Sequence, residues 1–335
     1  MPVGTRAAVK AVDSEDLERV GAEIVLANTY HLMLRPGSSS IAKLGGIHDF
    51  MAWQGPILTD SGGYQIFSLE PVIDEAGARF RSVYDGSIVE LTPEDAVKVQ
   101  EELGPDIAMV LDVCVGLPAP RATVRTEMER TLRWAERSQE AHARSDQALF
   151  GIVQGGVEPE LRAESARKTA ELGFPGFGIG GLSVGETAEE RDLALECAMA
   201  ELPPEKPRYL MGLGDTDGLL EAISRGADMF DCVLPTRLAR HGTLLTSTGR
   251  LNIKRAEFAR SDDPLDSALP ASPVARHSRG YLRHLLSVDE PTAARLLTLH
   301  NLAWVFDFVA RMRRAIVDGR FESFRRDVHE VWAAS

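Results

Sequence analysis

Three hundred and thirty-five residues, 44% hydrophobic and 26% charged, make a chain that can bury a large core, which excludes disorder, collagen and coiled coil. No run of about eighteen apolar residues offers a membrane span, and Met1-Pro2-Val3-Gly4-Thr5 lacks the regions of a signal peptide, so the expected compartment is the cytoplasm. Residues 237–335 hold 16 Lys and Arg against 11 Asp and Glu, so with a net charge of −13 overall the first 236 residues carry −18, and only the C-terminal third offers a basic footprint for nucleic acid.

In chain order, β-rich apolar runs alternate with amphipathic segments. A helix pattern at Ser14–Gly21 precedes strand candidates at Ile24–Asn28 and Pro56–Asp60, then a hairpin around Tyr84-Asp85-Gly86. Thr92–Leu103 opens as a helix should: Thr caps, Pro takes the first position, and acids meet the positive dipole end. Strands at Ile107–Asp112, Ala148–Gln154, Gly176–Gly181, Arg208–Gly212 and Met229–Asp231 then alternate with helices at Ala122–Arg144, Pro159–Leu172, Ala188–Leu202 and Asp215–Arg225. A second hairpin at Thr246–Gly249 is followed by helical patterns at Pro291–Val317 and Phe321–Trp332. No Gly-x-Gly-x-x-Gly phosphate loop sits between a strand and a helix. The pattern predicts an α/β fold: a (β/α)8 TIM barrel over residues 1–240 carrying the functional site, and a C-terminal hairpin and helical basic subdomain over 241–335 that includes the closing barrel helix.

Polar residues punctuate the C-terminal ends of these strands: Asp60, Asp112, Gln154 and Asp231. Singly, each would serve as well as a helix cap; in register they converge on the barrel rim, where such folds keep their chemistry. Gly62, Gly63, Gly155, Gly156, Gly180, Gly181, Gly212 and Gly214 crowd the same ends and leave backbone open to a flat ligand, although turns account for some of them. Tyr64 and Met211 offer an aromatic face and a thioether to a planar ring, or ordinary packing. Paired carboxylates on one rim suit glycosidic-bond chemistry. Cys114, Cys197 and Cys232 are too scattered for a disulfide framework or a CxxC metal site, and His284 and His300 read as surface or core histidines.

Nearly end to end, the chain resembles the tRNA-guanine transglycosylases of the bacterial type. The motifs are Leu26-Ala-Asn-Thr-Tyr-His-Leu-Met-Leu-Arg-Pro-Gly37, Leu58-Thr-Asp-Ser-Gly-Gly-Tyr-Gln65, Gly151-Ile-Val-Gln-Gly-Gly156, Gly180-Gly-Leu-Ser-Val-Gly-Glu186, Pro207-Arg-Tyr-Leu-Met-Gly212 and Asp228-Met-Phe-Asp-Cys-Val-Leu-Pro-Thr-Arg237. Ser278-Arg-Gly-Tyr-Leu-Arg-His-Leu285 and Thr298-Leu-His-Asn-Leu302 extend the match. The resemblance implies exchange of the wobble guanine of a tRNA anticodon for a 7-deazaguanine, in queuosine biosynthesis. Asp231 would be the nucleophile that forms a covalent bond to the ribose, and Asp60 the general acid/base. The base pocket would comprise Asp60, Ser61, Gly62, Gly63, Tyr64, Asp112, Gln154, Gly181, Leu182 and Met211, with Tyr64 and Met211 sandwiching the ring. Gly212, Leu213, Gly214, Asp215, Thr216, Asp217 and Gly218, and likewise Thr236, Arg237, Leu238, Ala239 and Arg240, would contact RNA. Cys114, Val184 and Glu186 favour the aminomethyl base preQ1 over the bulkier queuine. The implied partners are tRNA, preQ1 and a second copy of the chain.

Two departures accompany the match. Where the family holds zinc through Cys-x-Cys-x-x-Cys and a later His, this chain has Leu269, Ala271 and Val274 with only His300, which predicts no metal and an apolar substitute in which Leu269 and Val274 are buried against the C-terminal helices. In the family an N-terminal antiparallel segment that covers the barrel bottom precedes the point matched by Met1-Pro-Val-Gly-Thr5, and a late start codon or a true truncation would account equally for its absence from this sequence. A non-catalytic tRNA-binding subunit and a small-molecule barrel glycosidase are the rival readings.

Overall fold

A computed structural model describes residues 1–333 and divides into two compact units. The first, Met1, Val3–Ala7 and Ile24–Cys232, is built on eight parallel strands in sequential order: Val3–Gly4, Val25–Ala27, Ile57–Thr59, Ile107–Met109, Ala148–Val153, Phe177–Ile179, Arg208–Leu210 and Met229–Phe230. Each pairs with the next, with Leu26 opposite Leu58, Ala108 opposite Leu149, Ile152 opposite Gly178 and Leu210 opposite Phe230. Across the seam, Met1 N donates to the Phe230 carbonyl at 2.7 Å and Cys232 N to the Met1 carbonyl at 3.4 Å, tying the first segment to the last strand. This is the (β/α)8 barrel the alternation predicted.

The strands are near-continuous apolar runs because parallel strands are covered on both faces. Leu58, Met109, Ile152, Ile179 and Leu210 have essentially no exposed surface and pack in one cluster with Phe177 and Tyr209, each such burial stabilising the fold by about 1.5–3 kcal/mol. The Pro93–Leu103 helix starts with Thr92 and Asp95 in a reciprocal capping box. A small antiparallel sheet of Val72–Ile73, Ala78–Arg81 and Ile88–Leu91 contains the predicted hairpin.

Differences from the sequence pattern are short elements. Thr29–Leu34, Ser38–Lys43, Gly46–Met51 and Gly63–Phe67 are helices of one or two turns, too brief for a 3.6-residue periodicity to register. The fourth strand ends at Met109, three residues before Asp112.

The second unit comprises Pro2, Ala8–Glu23 and the chain from Val233 on. Its helices are Ser14–Arg19, Leu234–Arg240, Arg279–Ser287, Pro291–Val317 and Phe321–Ala333, with the predicted hairpin at Thr243–Thr246 and Gly249–Asn252. Leu244, Ile253, Leu265, Val274, Leu282 and Leu297 form its core. Asp16, buried, accepts both Nε and Nη2 of Arg295 at 2.6 and 2.7 Å. Among the described residues no helix is long and apolar enough to cross a membrane.

Candidate active site

Asp60, one residue past the third strand, is nearly buried. Its Oδ1 accepts the Thr29 N–H at 2.9 Å, and its Oδ2 accepts Gln65 Nε2 at 2.9 Å and the Asn28 amide. Burial pushes its pKa up to about 6 against the pull of these three hydrogen bonds, and the charge of Asp231 adds to the rise. The two aspartates of the predicted pair thus stand near enough for the charge of one to act on the other.

Beside it, Asp112 is also nearly buried, its Oδ1 accepting from Ser61 Oγ at 3.0 Å and its Oδ2 from Gln154 Nε2 at 2.6 Å. Burial raises its pKa, opposed by the bonds from Gln154 and Ser61. Glycine at two positions here leaves room for the side chains of the site. A Cβ on Gly63 would collide with Asp112 Oδ1, and one on Gly181, whose φ is +63°, would collide with Gln154 Oε1. Asp60, Ser61, Gly63, Asp112, Gln154 and Gly181 therefore converge as the sequence predicted. Leu182 is buried next to them, Tyr64 is exposed at the start of its helix, and Met211, half-buried, lies just past the seventh strand with its sulfur beside Gly178.

Asp231, one residue past the eighth strand, is half-exposed. Its Oδ1 accepts the Tyr209 hydroxyl and the Gly212 N–H, the latter at 2.7 Å. No other hydrogen bond reaches this carboxylate among the described residues, so Oδ2 has no partner. Tyr209 is buried, and its pKa is raised by burial first and by the Asp231 charge second, so it stays a donor. Sequence reading missed Tyr209; its place in the seventh strand, opposite Met229, was the available signal.

Arg162 was missed as well. Fully buried in the Pro159–Glu171 helix, it has no carboxylate partner among the described residues and spends its guanidinium on main-chain oxygens: Nε to Gly156 at 2.6 Å, Nη1 to Val153 and Gly180 at 3.0 and 2.8 Å, and Nη2 to Gly181 at 3.1 Å. Burial pulls its pKa down to about 10, still charged at neutral pH. It clasps the two glycine-bearing loops that follow the fifth and sixth strands. Cys114 is buried and its thiol pushed up to about 12 by burial, which leaves it unreactive. Glu186 accepts the N–H groups of Ser183 and Val184, the latter at 2.9 Å, and folds its loop around its own carboxylate.

Of the stretches expected to meet RNA, Leu213 packs in the barrel core and Asp215 caps the Thr216–Ser224 helix by accepting the Gly218 N–H at 2.9 Å. Gly212 and Asp217 remain exposed, Gly214 is half-buried and Thr216 buried. In the second unit, Arg237 is exposed, Leu238 and Arg240 are half-buried, and Thr236 and Ala239 are buried.

The positions corresponding to a zinc cluster do not fit a metal. Leu269 and Val274 are buried, Val274 against Leu282 and Leu297, and neither they nor Ala271 carries a donor atom. His300 is buried with both ring nitrogens engaged, Nε2 with the Leu245 carbonyl at 2.9 Å and Nδ1 with Ser272 Oγ at 3.0 Å. A carbonyl only accepts, so Nε2 carries the proton and Nδ1 takes the serine's. No group of three possible metal ligands occurs among the described residues. His284 is exposed.

Residues 1–334 match the sequence model of a family described as queuine tRNA-ribosyltransferase. A queuine tRNA-ribosyltransferase of Moorella thermoacetica is 52% identical over 98% of this chain and 89% of its own length. Those of Herpetosiphon aurantiacus and Desulforamulus reducens are 52% and 48% identical, over 98% and 100% of this chain and 84% and 91% of their own.

Proposed function

The chain belongs to the queuine tRNA-ribosyltransferase family and is a tRNA-guanine transglycosylase, and from that premise we propose that it exchanges the anticodon wobble guanine for preQ1 through a covalent Asp231–ribose intermediate. The observation that carries this reading is the asymmetry of the Asp231 carboxylate. Tyr209 and Gly212 fix Oδ1 and leave Oδ2 free, the state a nucleophile needs. Oδ2 attacks C1′ of the ribose, the C1′–N9 bond breaks, and its electron pair leaves with guanine, which Asp60 protonates. The incoming base gives its proton back to Asp60, attacks C1′ and expels Asp231. Two inversions give net retention. A group with a pKa near 6 serves both directions at neutral pH.

Asp112 and Gln154 would read the polar edge of the base, since leaving such buried groups unmatched costs about 1–3 kcal/mol per group. Tyr64 and Met211 would cover its faces. The base must swing out of the anticodon stack to enter, because a stacked base hides its glycosidic bond. The Gly212–Gly218 stretch and Thr236–Arg240 are the proposed RNA contacts, and Glu186 the proposed partner of the aminomethyl cation that separates preQ1 from guanine. The proposed setting is the cytoplasm, with a homodimer as a further expectation.

Intact-mass spectrometry of the protein trapped with an anticodon stem-loop tests this. Wild type should gain the mass of the stem-loop less guanine, and Asp231→Asn should not; labelled guanine exchange should follow the same pattern. A wild-type protein that binds the stem-loop but forms no adduct and exchanges nothing would instead be the non-catalytic subunit. Exchange of queuine but not preQ1 would overturn the base assignment.

A further inference from the structure

The acidic barrel unit carries two arginines without anions of their own where its first two strands end. Arg6 lies two residues past Val3–Gly4, and Arg35 closes the Thr29–Leu34 helix that follows Val25–Ala27. Both are exposed, and neither joins an ion pair among the described residues. Both lie instead over one ring: the guanidinium carbons of Arg35 and Arg6 are 4.7 and 5.4 Å from the Tyr84 centroid. Tyr84 sits in the hairpin between Ala78–Arg81 and Ile88–Leu91, and that hairpin is pinned to the helix twice. The Tyr84 hydroxyl bonds His31 Nδ1 at 2.9 Å, and the Val83 N–H donates to the Tyr30 hydroxyl at 3.3 Å.

Like charges on one ring repel, and the neighbouring anion, Asp85, acts on Arg35 through its charge but forms no ion pair with either arginine among the described residues. Asp85 accepts Ser87 Oγ and N at 2.8 and 3.1 Å, which hold its pKa down, with the charge of Arg35 a lesser cause. His31 adds no charge at neutral pH, since burial, and then Arg6, push its pKa below the usual range. The patch also adjoins the reaction centre. Thr29, which donates to Asp60, and His31, which bonds Tyr84, stand two residues apart on one helix.

We propose that Arg6 and Arg35, presented on the Tyr84 ring, bind the phosphate backbone of the tRNA beside the base pocket, where it crosses the rim at the ends of the first two strands. The proposal rests on the transglycosylase reading of that pocket. Guanidinium forks match phosphate oxygens, and a stack of cations with no carboxylate partner is the arrangement an RNA backbone completes.

The test uses the full chain and an anticodon stem-loop across a salt series. The double variant Arg6→Gln/Arg35→Gln should raise the stem-loop Kd and the KM for tRNA about tenfold. It should also lower the slope of log K against log salt by about 1.5, as two phosphate contacts require. The KM for free guanine should not move. Arg6→Lys/Arg35→Lys, which keeps charge without the planar fork, should restore the slope and only part of the affinity. Wild-type exchange together with unchanged Kd and slope in the Gln variant would overturn the patch alone. A wild type that neither binds nor exchanges would overturn both readings.

Discussion

Asp60 and Asp231 occupy the same station, one residue beyond a barrel strand, and end in opposite surroundings. On the Asp60 side the carboxylate is nearly buried and both oxygens accept hydrogen bonds from residues of its own loop and of the preceding strand end. On the Asp231 side the carboxylate is half-exposed, with two donors on one oxygen and none on the other. Topology decides where a side chain arrives; its neighbours decide whether it is suited to carry a proton or to attack. A group held at both oxygens with an elevated pKa suits proton transfer, and one with a free oxygen suits bond formation.

The largest expected break in this contrast comes from Asp60→Asn. It should lower kcat by about 10²–10⁴-fold and remove the pH dependence centred near 6 that the wild type should show; a wild-type rate flat from pH 5 to 8 would remove Asp60 from proton transfer. Stability gives a second readout of the same variant. Because the folded pKa of Asp60 lies above its unfolded value, the folded state takes up a proton between about pH 4 and 6, and this group's contribution to stability is lost as pH rises through that window. Urea unfolding of wild type relative to Asp60→Asn should show that loss, about 1–3 kcal/mol.

Tyr209→Phe sharpens the other half. Loss of a charge-assisted hydrogen bond worth about 1.5–3 kcal/mol should lower kcat roughly ten- to a hundredfold and leave the guanine KM alone. An unchanged kcat would mean that Gly212 alone orients Asp231. The smallest effect belongs to Gly212→Ala. Nothing stands within 4 Å of the added Cβ, but φ is +77°, so the strain should cost about 1 kcal/mol and shift the N–H enough to slow exchange a few-fold, readable in a melt and a rate measurement.

Much of this was legible in the chain. Seven of the eight strands, and the polar residues Asp60, Asp112, Gln154 and Asp231 beyond four of them, could be placed from apolar runs and turn residues, because parallel strands are uniformly apolar and a polar residue at their ends stands out. Val3–Gly4 could not, because two residues carry no pattern. Asp60, Asp112, Gln154 and Asp231 were visible as punctuation. Tyr209 and Arg162 were not, since an aromatic in a strand and an arginine in an amphipathic helix look like ordinary packing and ordinary surface until their partners are known. The pairing of Arg6 with Arg35 on Tyr84 was hidden for another reason: charge counted along the chain put the basic surface in the C-terminal third, whereas these two cations come together only when the hairpin folds onto the helix.

Arg162 grips oxygen atoms that every amino acid possesses. The contour it enforces is therefore indifferent to the lettering of the loops it holds, apart from the places where a Cβ would not fit. Leu182, Ser183 and Val184 could be rewritten in search of a different incoming base while that one arginine keeps the mould, which makes the loop after the sixth strand the natural place to begin redesign and Arg162 the residue to leave alone.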